Sequence, residues 1–430
     1  MFYTMVPEIS IRIESPLSAE YAWVMRLFGA YVGFTVKEVE SGEDILIAEH
    51  GMGDIQVSHF FRQIYQSGDY HFKAYFRKEP LHLTASGRPD FLSTSFFLLA
   101  YLQEYTDYVP DQYNRFPYQA SVQHHFKCVE QNLVAHYFDA LYASIPKLHS
   151  RITPKKHATG IFLSHDIDHA FGALRQNAPY LLKKGKIGAL LQAMFNHYLR
   201  VPDQLLLNKI MDIEDAYDVR SVFFWMVNSG KGSRKIYNAD YSIDDARVRK
   251  MQQTIQQRGW VNGLHKSVSR DTYSGEFDRL GSVAKRINRN HYLLTELPGT
   301  FEHLQDAGVQ LDATFGFPEV MGFRNSYGLP IKPFDVKRKK AYDFVEVPLH
   351  IMDTTLRYYQ NCSSKQATNH ILEFLSKHTD NAVISILWHN NYFFEAAEPG
   401  WVDAYKEVLQ FIRDHQLQAI LPDTILERYA

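Results

Sequence analysis

The segment Ile161–His169, with the sequence IFLSHDIDH, constrains the fold of this 430-residue chain more than any other stretch. Its apolar first half predicts a short buried strand, and in a strand residues i and i+2 point to the same face. Such a strand would direct Asp166 and Asp168 into one pocket. Two carboxylates that close together are unfavourable unless a cation or a shared proton compensates them. The segment therefore fits either a metal-bound carboxylate beside a free carboxylate base or a strand followed by an Asp-rich turn.

Length and local composition predict two domains. A chain of 430 residues exceeds most single domains, and its 45% hydrophobic and 22% charged content suits a globular protein with a sizeable core. The stretch 146–157 is basic and carries two prolines, as a linker does. We therefore expect a smaller mixed α/β domain in residues 1–150 and a second domain in residues 157–430. Within the first domain the pattern predicts a strand at 44–48 and helices at 91–105 and 122–142.

Beyond residue 157, strand-like runs alternate with helical patterns. The strand-like runs cover residues 160–163, 221–226, 260–264, 309–311, 344–347 and 382–387. The helical patterns cover residues 203–217, 244–258, 276–288 and 369–378. This alternation predicts parallel strands with helical crossovers. The fold class is therefore α/β, and a (β/α) barrel of six or seven strands fits the length of the domain.

Charge and cysteine content argue against several kinds of partner and site. The formal net charge of −2 gives no sign of a nucleic-acid or anionic-membrane partner, and no 18-residue apolar run is present. The first residues lack the basic and apolar regions of a signal peptide, so we expect a cytoplasmic protein. Cys128 and Cys362 form no CxxC pair, so a disulfide framework and a thiolate zinc site are both unexpected. Any metal must use histidine and carboxylate ligands.

Chemically versatile side chains follow the predicted strands at their carboxyl ends, where (β/α) barrels carry their chemistry. A single histidine after a strand is more often structural than a ligand, but six strand ends bearing His, Asp or Arg indicate a site. The residues concerned are His165, Asp166, Asp168, His265, His291, Asp312, Arg324 and His389.

Residues 157–428 resemble the polysaccharide deacetylase superfamily, of the NodB-homology or carbohydrate-esterase-four type. The first motif of that family carries a base followed by a metal ligand, both aspartates, and Asp166 and Asp168 match it in type and spacing. The second motif is His-x-x-x-His or His-x-x-x-Ser, and His265 with Ser269 matches the second form.

Two further motifs extend the resemblance. The family's third motif supplies an arginine that orients the base, and Phe323-Arg324 is similar to it. Its last motif is Leu-x-His, which Leu387-Trp388-His389 matches. The resemblance implies a distorted (β/α) barrel of about seven parallel strands behind an accessory N-terminal module. It also implies a divalent metal, with zinc the expected ion, and removal of acetyl groups from N-acetylated sugars.

One departure from the family pattern concerns the metal ligands. Ser269 is a poor zinc ligand, so the Asp-His-His set of the family is one histidine short. His291, in the pattern Asn288–Tyr292, is the candidate replacement. Ser269 acting through a water, or the absence of a tightly bound metal, are the alternatives.

The resemblance gives each matched residue a role. The expected metal ligands are Asp168, His265 and His291, which would leave open positions on the ion. Asp166 would take the proton of the attacking water, and Arg324 would keep Asp166 ionised and oriented. His389 would protonate the leaving amine, since its unperturbed pKa is about 6.5. The expected substrate contacts are Trp388, Tyr327 and Asp312, with core packing as the alternative for Trp388.

We therefore expect a metal-dependent deacetylase acting on a carbohydrate or other small-molecule substrate, with no nucleic-acid and no membrane partner. A degenerate, non-hydrolytic carbohydrate-binding member of the same fold is one alternative, favoured by the missing second-motif histidine. A deacylase of a small non-polysaccharide amide is another, favoured by the missing export signal. A scaffold role agrees less well with the sequence, because a scaffold needs no clustered histidines and aspartates at strand ends.

Overall fold

The computed structural model describes residues 6–154, 156, 158–171, 174–199, 204–233 and 236–430. The chain forms two compact units. The first unit contains Met1–Asp111, Phe116–His157 and Phe323–Tyr342, and the second contains Gln112–Arg115, Ala158–Gly322 and Asp343–Ala430. Most of residues 1–157 group in the first unit, and most of residues 158–430 group in the second. Two short segments, 112–115 and 323–342, group with the other unit instead.

Strands and helices are numbered along the chain. The strands are β1 Glu8–Glu14, β2 Thr35–Glu38, β3 Ile45–Ala48, β4 Ile55–Gln56, β5 Gly160–Ile167, β6 Val222–Trp225, β7 Val261–Lys266, β8 Ile287–Asn290, β9 Leu311–Asp312, β10 Phe334–Asp335, β11 Lys340–Ala341, β12 Val345–Glu346, β13 Leu349–Met352, β14 Val383–Leu387 and β15 Gln418–Ala419. The α-helices are α1 Ser18–Val32, α2 His59–Gln66, α3 Phe72–Tyr75, α4 Phe91–Leu99, α5 Val122–His125, α6 Leu133–Ser144, α7 Pro146–His149, α8 Leu174–Lys183, α9 Ile187–Tyr198, α10 Gln204–Ala216, α11 Ala246–Gln257, α12 Tyr273–Leu280, α13 Gly299–Asp306, α14 Ser364–Lys377, α15 Trp401–Asp414 and α16 Pro422–Tyr429.

The first unit is a mixed α/β structure, as predicted. Its parallel sheet has the strand order β2-β1-β3-β4, with α1 as the crossover between β1 and β2. The predicted strand at 44–48 is present as β3. The single helix predicted over 122–142 is wrong, because α5 and α6 are separate helices. Lys127 lies between them with a φ of 53°, a left-handed conformation that a continuous helix cannot contain.

The second unit is built on one parallel sheet in the order β12-β9-β8-β7-β6-β5-β14-β13, with β15 on the start of β5. A flat sheet of eight strands would hold its outer strands about 34 Å apart. Here the outer strands β12 and β13 are joined by only two residues, so Glu346 and Leu349 are at most about 11 Å apart. The sheet must therefore curl until its two edges meet.

Residues 345–352 complete this ring. Val345 pairs with Leu311 of β9, whereas Leu349 pairs with Ser385 of β14. Strands β12 and β13 thus share one position between β9 and β14. Together with β9, β8, β7, β6, β5 and β14, this position gives seven parallel strand positions. The prediction of a distorted (β/α) barrel of about seven parallel strands is confirmed.

The region before the third predicted ligand differs from the sequence pattern. A helix was predicted over 276–288, but α12 ends at Leu280, where Gly281 has a φ of 80°. Residues 287–290 instead form β8, and all four are buried. His291 therefore follows a barrel strand, like the other predicted site residues. Within the described residues, no helix is long and apolar enough to span a membrane.

Candidate metal centre and active site

Three predicted ligands converge at the carboxyl ends of β5, β7 and β8. The Oδ1 atom of Asp168 lies 3.5 Å from Nε2 of His265 and 3.8 Å from Nε2 of His291. One ligand atom from each residue lies within 4.8 Å of the other two. Two atoms that each lie about 2.1 Å from one ion can be at most about 4.2 Å apart. The spacing of the Asp168 oxygen from both imidazoles is therefore that of ligands around one small cation.

A backbone hydrogen bond prepares His265 for this position. Its Nδ1–H donates to the carbonyl oxygen of Arg289, at 3.0 Å. A carbonyl accepts hydrogen bonds and cannot donate them, so the proton of the neutral ring is on Nδ1. The lone pair is then on Nε2, the atom that faces Asp168.

Unsatisfied polar atoms indicate what this pocket accommodates. Oδ1 of Asp168 and Nε2 of His265 are buried and, among the described residues, have no hydrogen-bond partner. A carboxylate oxygen and an imidazole lone pair facing each other at 3.5 Å repel unless positive charge lies between them. The donor set, one carboxylate oxygen with two imidazole nitrogens, is one that zinc binds well. The residues present therefore fit a divalent transition-metal ion.

Burial and neighbouring charges shift the pKa of all three side chains. Burial lowers the pKa of His291 to about 3, more than the attraction of Asp168 raises it, so this imidazole is neutral. Burial opposes ionisation of Asp168, but the facing His291 and His265 rings outweigh it and the carboxyl pKa is lowered. Burial would lower the pKa of His265, yet the carboxylates of Asp166 and Asp168 raise it. The shifts of Asp168 and His265 favour a positive charge at the centre of the cluster, whereas the neutral ring of His291 keeps a lone pair that can bind an ion.

Asp166 lies beside the ligands, with a different environment from that of Asp168. Its Oδ1 accepts a 3.1 Å hydrogen bond from Nη1 of Arg289, and its Oδ2 lies 3.6 Å from Nε2 of His265. Arg289 is fully buried. Its Nη1 also donates to Ser164, and its Nε donates to the carbonyl of Ala313. The guanidinium is thereby fixed, and its hydrogen bond orients the side chain of Asp166.

A second polar pair lies at the end of β14. Nδ1 of His389 donates to Oδ1 of Asp353 at 2.7 Å, and the backbone N–H of His389 donates to the other oxygen of the same carboxylate. Burial lowers the pKa of His389, but Asp353, with smaller contributions from Asp168 and Asp166, outweighs burial and raises it to about 9. His389 is therefore an imidazolium at neutral pH. Asp353 occupies Nδ1, which leaves Nε2 as the nitrogen that can give up a proton.

Four predicted site residues are found in other surroundings. Arg324 donates to both oxygens of Glu104 in the first unit, at 2.8 and 2.7 Å, and Asp166 accepts a hydrogen bond from Arg289. Tyr327 packs on Phe138, also in the first unit. Both residues lie in the segment 323–342, which groups with the first unit. The roles expected for Arg324 and Tyr327 stay predictions.

The other two residues, Asp312 and Trp388, are packed inside the barrel unit. Asp312 is fully buried and accepts hydrogen bonds from Asn288 and Thr314, and burial raises its pKa. Trp388 is fully buried, with its ring centroid 5.2 Å from that of Tyr405. Neither residue is exposed to a substrate, and for Trp388 the core-packing alternative is the one observed.

The remaining candidates near the centre have other partners. Ser269 donates to Glu276 at 2.9 Å and accepts from Lys266, within the loop that follows β7. Both ring nitrogens of His165 are occupied, Nδ1 by the carbonyl of Trp388 and Nε2 by Glu214. His169 faces Asp240 at 3.7 Å. His291, and not Ser269, is therefore the third side chain of the cluster.

Sequence reasoning missed Arg289 and Asp353. Arg289 lies two residues before His291. Because a helix was predicted over 276–288, strand β8, which directs the Arg289 side chain into the barrel, was not expected. Asp353 directly follows β13, so a search of strand ends would have found it if β13 had been recognised as a strand. Arg115 was also missed. It donates to the carbonyl of Tyr292, beside His291, at 2.8 Å.

A cleft of about 710 Å³ opens beside the cluster and reaches it at His291. Its lining includes the charged side chains Lys266, Arg270, Asp271, Glu296 and Asp306. It also carries many hydroxyl and amide groups. They include Asn114, Ser267, Ser269, Thr272, Tyr273, Asn290, Thr295 and Thr300. Such groups bind polar, uncharged ligands through hydrogen bonds.

Comparison with known proteins gives limited similarity. Residues 19–150 match a model described as a family of unknown function (DUF7033), and no curated protein matches the chain. A chitin deacetylase of the fungus Colletotrichum lindemuthianum is 13% identical, covering 64% of this chain and 91% of its own, with a TM-score of 0.33. A polysaccharide deacetylase of Bacillus cereus is also 13% identical, with coverages of 62% and 94% and a TM-score of 0.32. Puue allantoinase is 11% identical, with coverages of 64% and 93% and a TM-score of 0.42. At these values the role of the site depends on its own geometry.

Proposed function

We propose that the second unit is a metal-dependent hydrolase that removes an N-acetyl group from a carbohydrate or another sugar-containing substrate. One observation carries the proposal. An Asp-His-His cluster, in which Oδ1 of Asp168 and Nε2 of His265 are buried and unpaired among the described residues, lies beside a carboxylate that an arginine orients, at the carboxyl ends of the barrel strands. Amide hydrolysis by this class of centre needs a Lewis acid, a base and an acid, and the chain offers candidate ligands for the first and candidate side chains for the other two.

Asp168, His265 and His291 would hold the metal, with zinc as the proposed ion. When bound, a divalent ion polarises the amide carbonyl and acidifies the attacking water. Three protein ligands leave coordination positions open for these groups. The first-motif resemblance supports Asp168 as ligand and Asp166 as base.

Asp166 would act as the general base. A carboxylate can accept the proton of the attacking water, and the hydrogen bond from Arg289 holds it in one orientation. Because the guanidinium has its own fixed partners, Asp166 needs little reorganisation during the reaction.

His389 would be the general acid. The departing amine must gain a proton, and an imidazolium with a pKa of about 9 is in the acid form at neutral pH. Asp353 holds Nδ1, so the transferred proton would come from Nε2. This arrangement separates the base from the acid, as two proton transfers in one cycle require.

The hydroxyl- and amide-lined cleft supports a sugar as the group that carries the acetamide. The decisive experiment is to load the full-length protein with zinc and measure acetate release from a panel of N-acetylated sugars, oligosaccharides and nucleotide-sugars. We expect release from at least one class, and its loss in Asp166→Asn protein that still contains zinc. Bound sugar without acetate release would instead favour the non-hydrolytic alternative, and activity on small amides alone would favour the deacylase alternative.

A further inference from the structure

Helix α9 exposes an apolar face to solvent. Ile187, Leu191, Phe195 and Tyr198 are 53%, 58%, 56% and 70% exposed. Their spacing of i, i+4, i+8 and i+11 puts them on one side of the helix. Monomeric proteins rarely expose apolar surface in one contiguous patch of this kind unless it binds something.

The opposite face of α9 is already packed. Leu190 and Ala193 are buried, and Leu190 forms a cluster with Leu181 of α8 and Ala397. The hairpin of α8 and α9 is therefore anchored to the barrel unit by one side of α9. The exposed side is not needed for that anchorage, which makes it available for a separate partner.

The charge of the same segment points to the kind of partner. Residues 169–202 contain five basic residues and no aspartate or glutamate, although the whole chain has a net charge of −2. Lys183 and Lys184 are exposed in the last turn of α8 and the α8–α9 connection, at the end of α9 where the apolar face begins. No membrane partner was expected from the net charge of the whole chain. That net charge is the sum of this basic segment and an acidic remainder, so it conceals the local positive charge.

We propose that the α8–α9 hairpin docks on the surface of a lipid bilayer that contains anionic lipids. An apolar helix face beside lysines is the composition that binds the interface between head groups and acyl chains. The apolar side chains would enter the acyl boundary and the lysines would contact the lipid phosphates. A protein partner could also cover the apolar face. Protein surfaces are not negatively charged in general, however, so a protein partner would not explain why the segment has basic residues and no acidic ones.

The hairpin begins close to the metal centre. Helix α8 starts six residues after Asp168, so Leu174 lies within about 22 Å of that ligand along the chain. Docking would therefore bring the centre near the bilayer surface. The docking proposal stands independently of the hydrolytic one, because it concerns a different set of side chains.

Vesicle flotation of the full-length protein tests the proposal. Vesicles of phosphatidylcholine with about one third phosphatidylglycerol are compared with pure phosphatidylcholine at low and high salt. We expect the protein to float with the anionic vesicles and to be partly released by salt. Leu191→Ser with Phe195→Ser should lower the partition coefficient about a hundredfold. Lys183→Gln with Lys184→Gln should lower it about tenfold, on anionic vesicles alone.

A matched control uses exposed apolar residues elsewhere. Met52 and Val109 are 98% and 85% exposed, and Met52→Ser with Val109→Ser should float like the unmodified protein. The melting temperature shows whether each variant is folded. If the Leu191/Phe195 variant does not fold, the Lys183/Lys184 variant still tests the proposal. Failure of the unmodified protein to float, or equal flotation of all variants, would overturn the proposal. A third outcome would also overturn it: the unmodified protein sediments as a dimer, the Leu191/Phe195 variant sediments as a monomer, and neither floats with vesicles. A second copy of the chain would then cover the apolar face.

Discussion

Each of the two units contains one cluster of histidine and carboxylate side chains close enough to share a metal ion, among the residues that the structure describes. The cluster of the barrel unit is Asp168, His265 and His291. The cluster of the first unit is Glu49, His50 and His59. By residue type and spacing alone, the two are equivalent candidates.

Their hydrogen bonds distinguish them. Glu49 accepts from Nε of Arg62 with both oxygens, at 2.9 Å each, and also accepts from Ser15. Arg62 further contacts Nδ1 of His59, and His50 is exposed. A metal at this position would have to displace a guanidinium that already neutralises the carboxylate.

The barrel cluster has the opposite arrangement. Its carboxylate oxygen and one imidazole nitrogen are buried without hydrogen-bond partners in the described structure, and its other contacts orient the lone pairs inward. The difference shows that proximity of ligand types is a weak criterion for a metal site. The stronger criterion is whether the lone pairs are still available and buried.

The largest expected effect tests this contrast directly. Asp168→Asn should reduce the metal content of purified protein from one ion per chain to nearly none, and should abolish hydrolysis, because the carboxylate is both ligand and countercharge. Glu49→Gln is the matched control and should leave metal content and activity unchanged. Elemental analysis after purification without chelators measures both. Metal loss in Glu49→Gln, with retention in Asp168→Asn, would reverse the comparison.

Asp166 and Asp168 give the same comparison within one site, because Asp166 is paired with Arg289 whereas Oδ1 of Asp168 is unpaired among the described residues. Asp166→Asn should keep the metal and lower kcat by about 10²–10⁴, since an amide cannot accept the proton of water. Metal analysis and acetate release on the same preparation give the two numbers. Equal metal loss in the Asp166 and Asp168 variants would show that the two aspartates do not divide base and ligand between them.

His389 should act on the substrate and not on the ion. His389→Ala should remain folded, keep its metal and lose about 10²–10⁴ of amide hydrolysis. An activated acetyl ester has a leaving group that needs no proton, so its hydrolysis should fall far less. The ratio of the two rates in parallel assays is the readout. An equal loss on both substrates, or failure to fold, would instead make His389 a packing residue.

The pH profile offers a smaller and more specific effect. Asp353, with Asp168 and Asp166, raises the pKa of His389 above its unfolded value against the effect of burial. A general acid must be protonated, so the rate should be sustained below a pH of about 9 and fall as pH rises through that value. Asp353→Asn removes the largest attraction and should move this basic limb toward about 6.5. An unmoved limb would assign it to a different group.

The smallest expected effect separates two buried arginines. Arg289→Lys keeps the charge but loses the fork that contacts Asp166, Ser164 and Ala313 together, so kcat should fall about tenfold with metal retained. Arg324→Lys should instead lower the melting temperature, because it weakens the buried pair with Glu104 in the first unit. A larger fall in kcat for Arg324→Lys than for Arg289→Lys would restore the role first expected for Arg324.

The sequence determined the parts of the site that follow from local rules. Alternating strands and helices predicted the parallel barrel, because crossovers of that length allow little else. The i, i+2 spacing predicted that Asp166 and Asp168 share a face. Strand-end position predicted His265, and the missing second-motif histidine pointed to His291, although the strand before His291 was expected to be a helix. These inferences needed no knowledge of distant contacts.

The tertiary structure decided which side chains meet across the chain. Arg324 and Arg289 are both arginines near the predicted site in sequence, yet one pairs with Glu104 and the other with Asp166. Asp353 reaches His389 because residues 345–352 close the ring beside β14. Ionic pairing depends on a few ångströms between residues that are tens to hundreds of positions apart. A sequence pattern fixes the direction of a side chain along its own strand, and the packing of the strands fixes its partner.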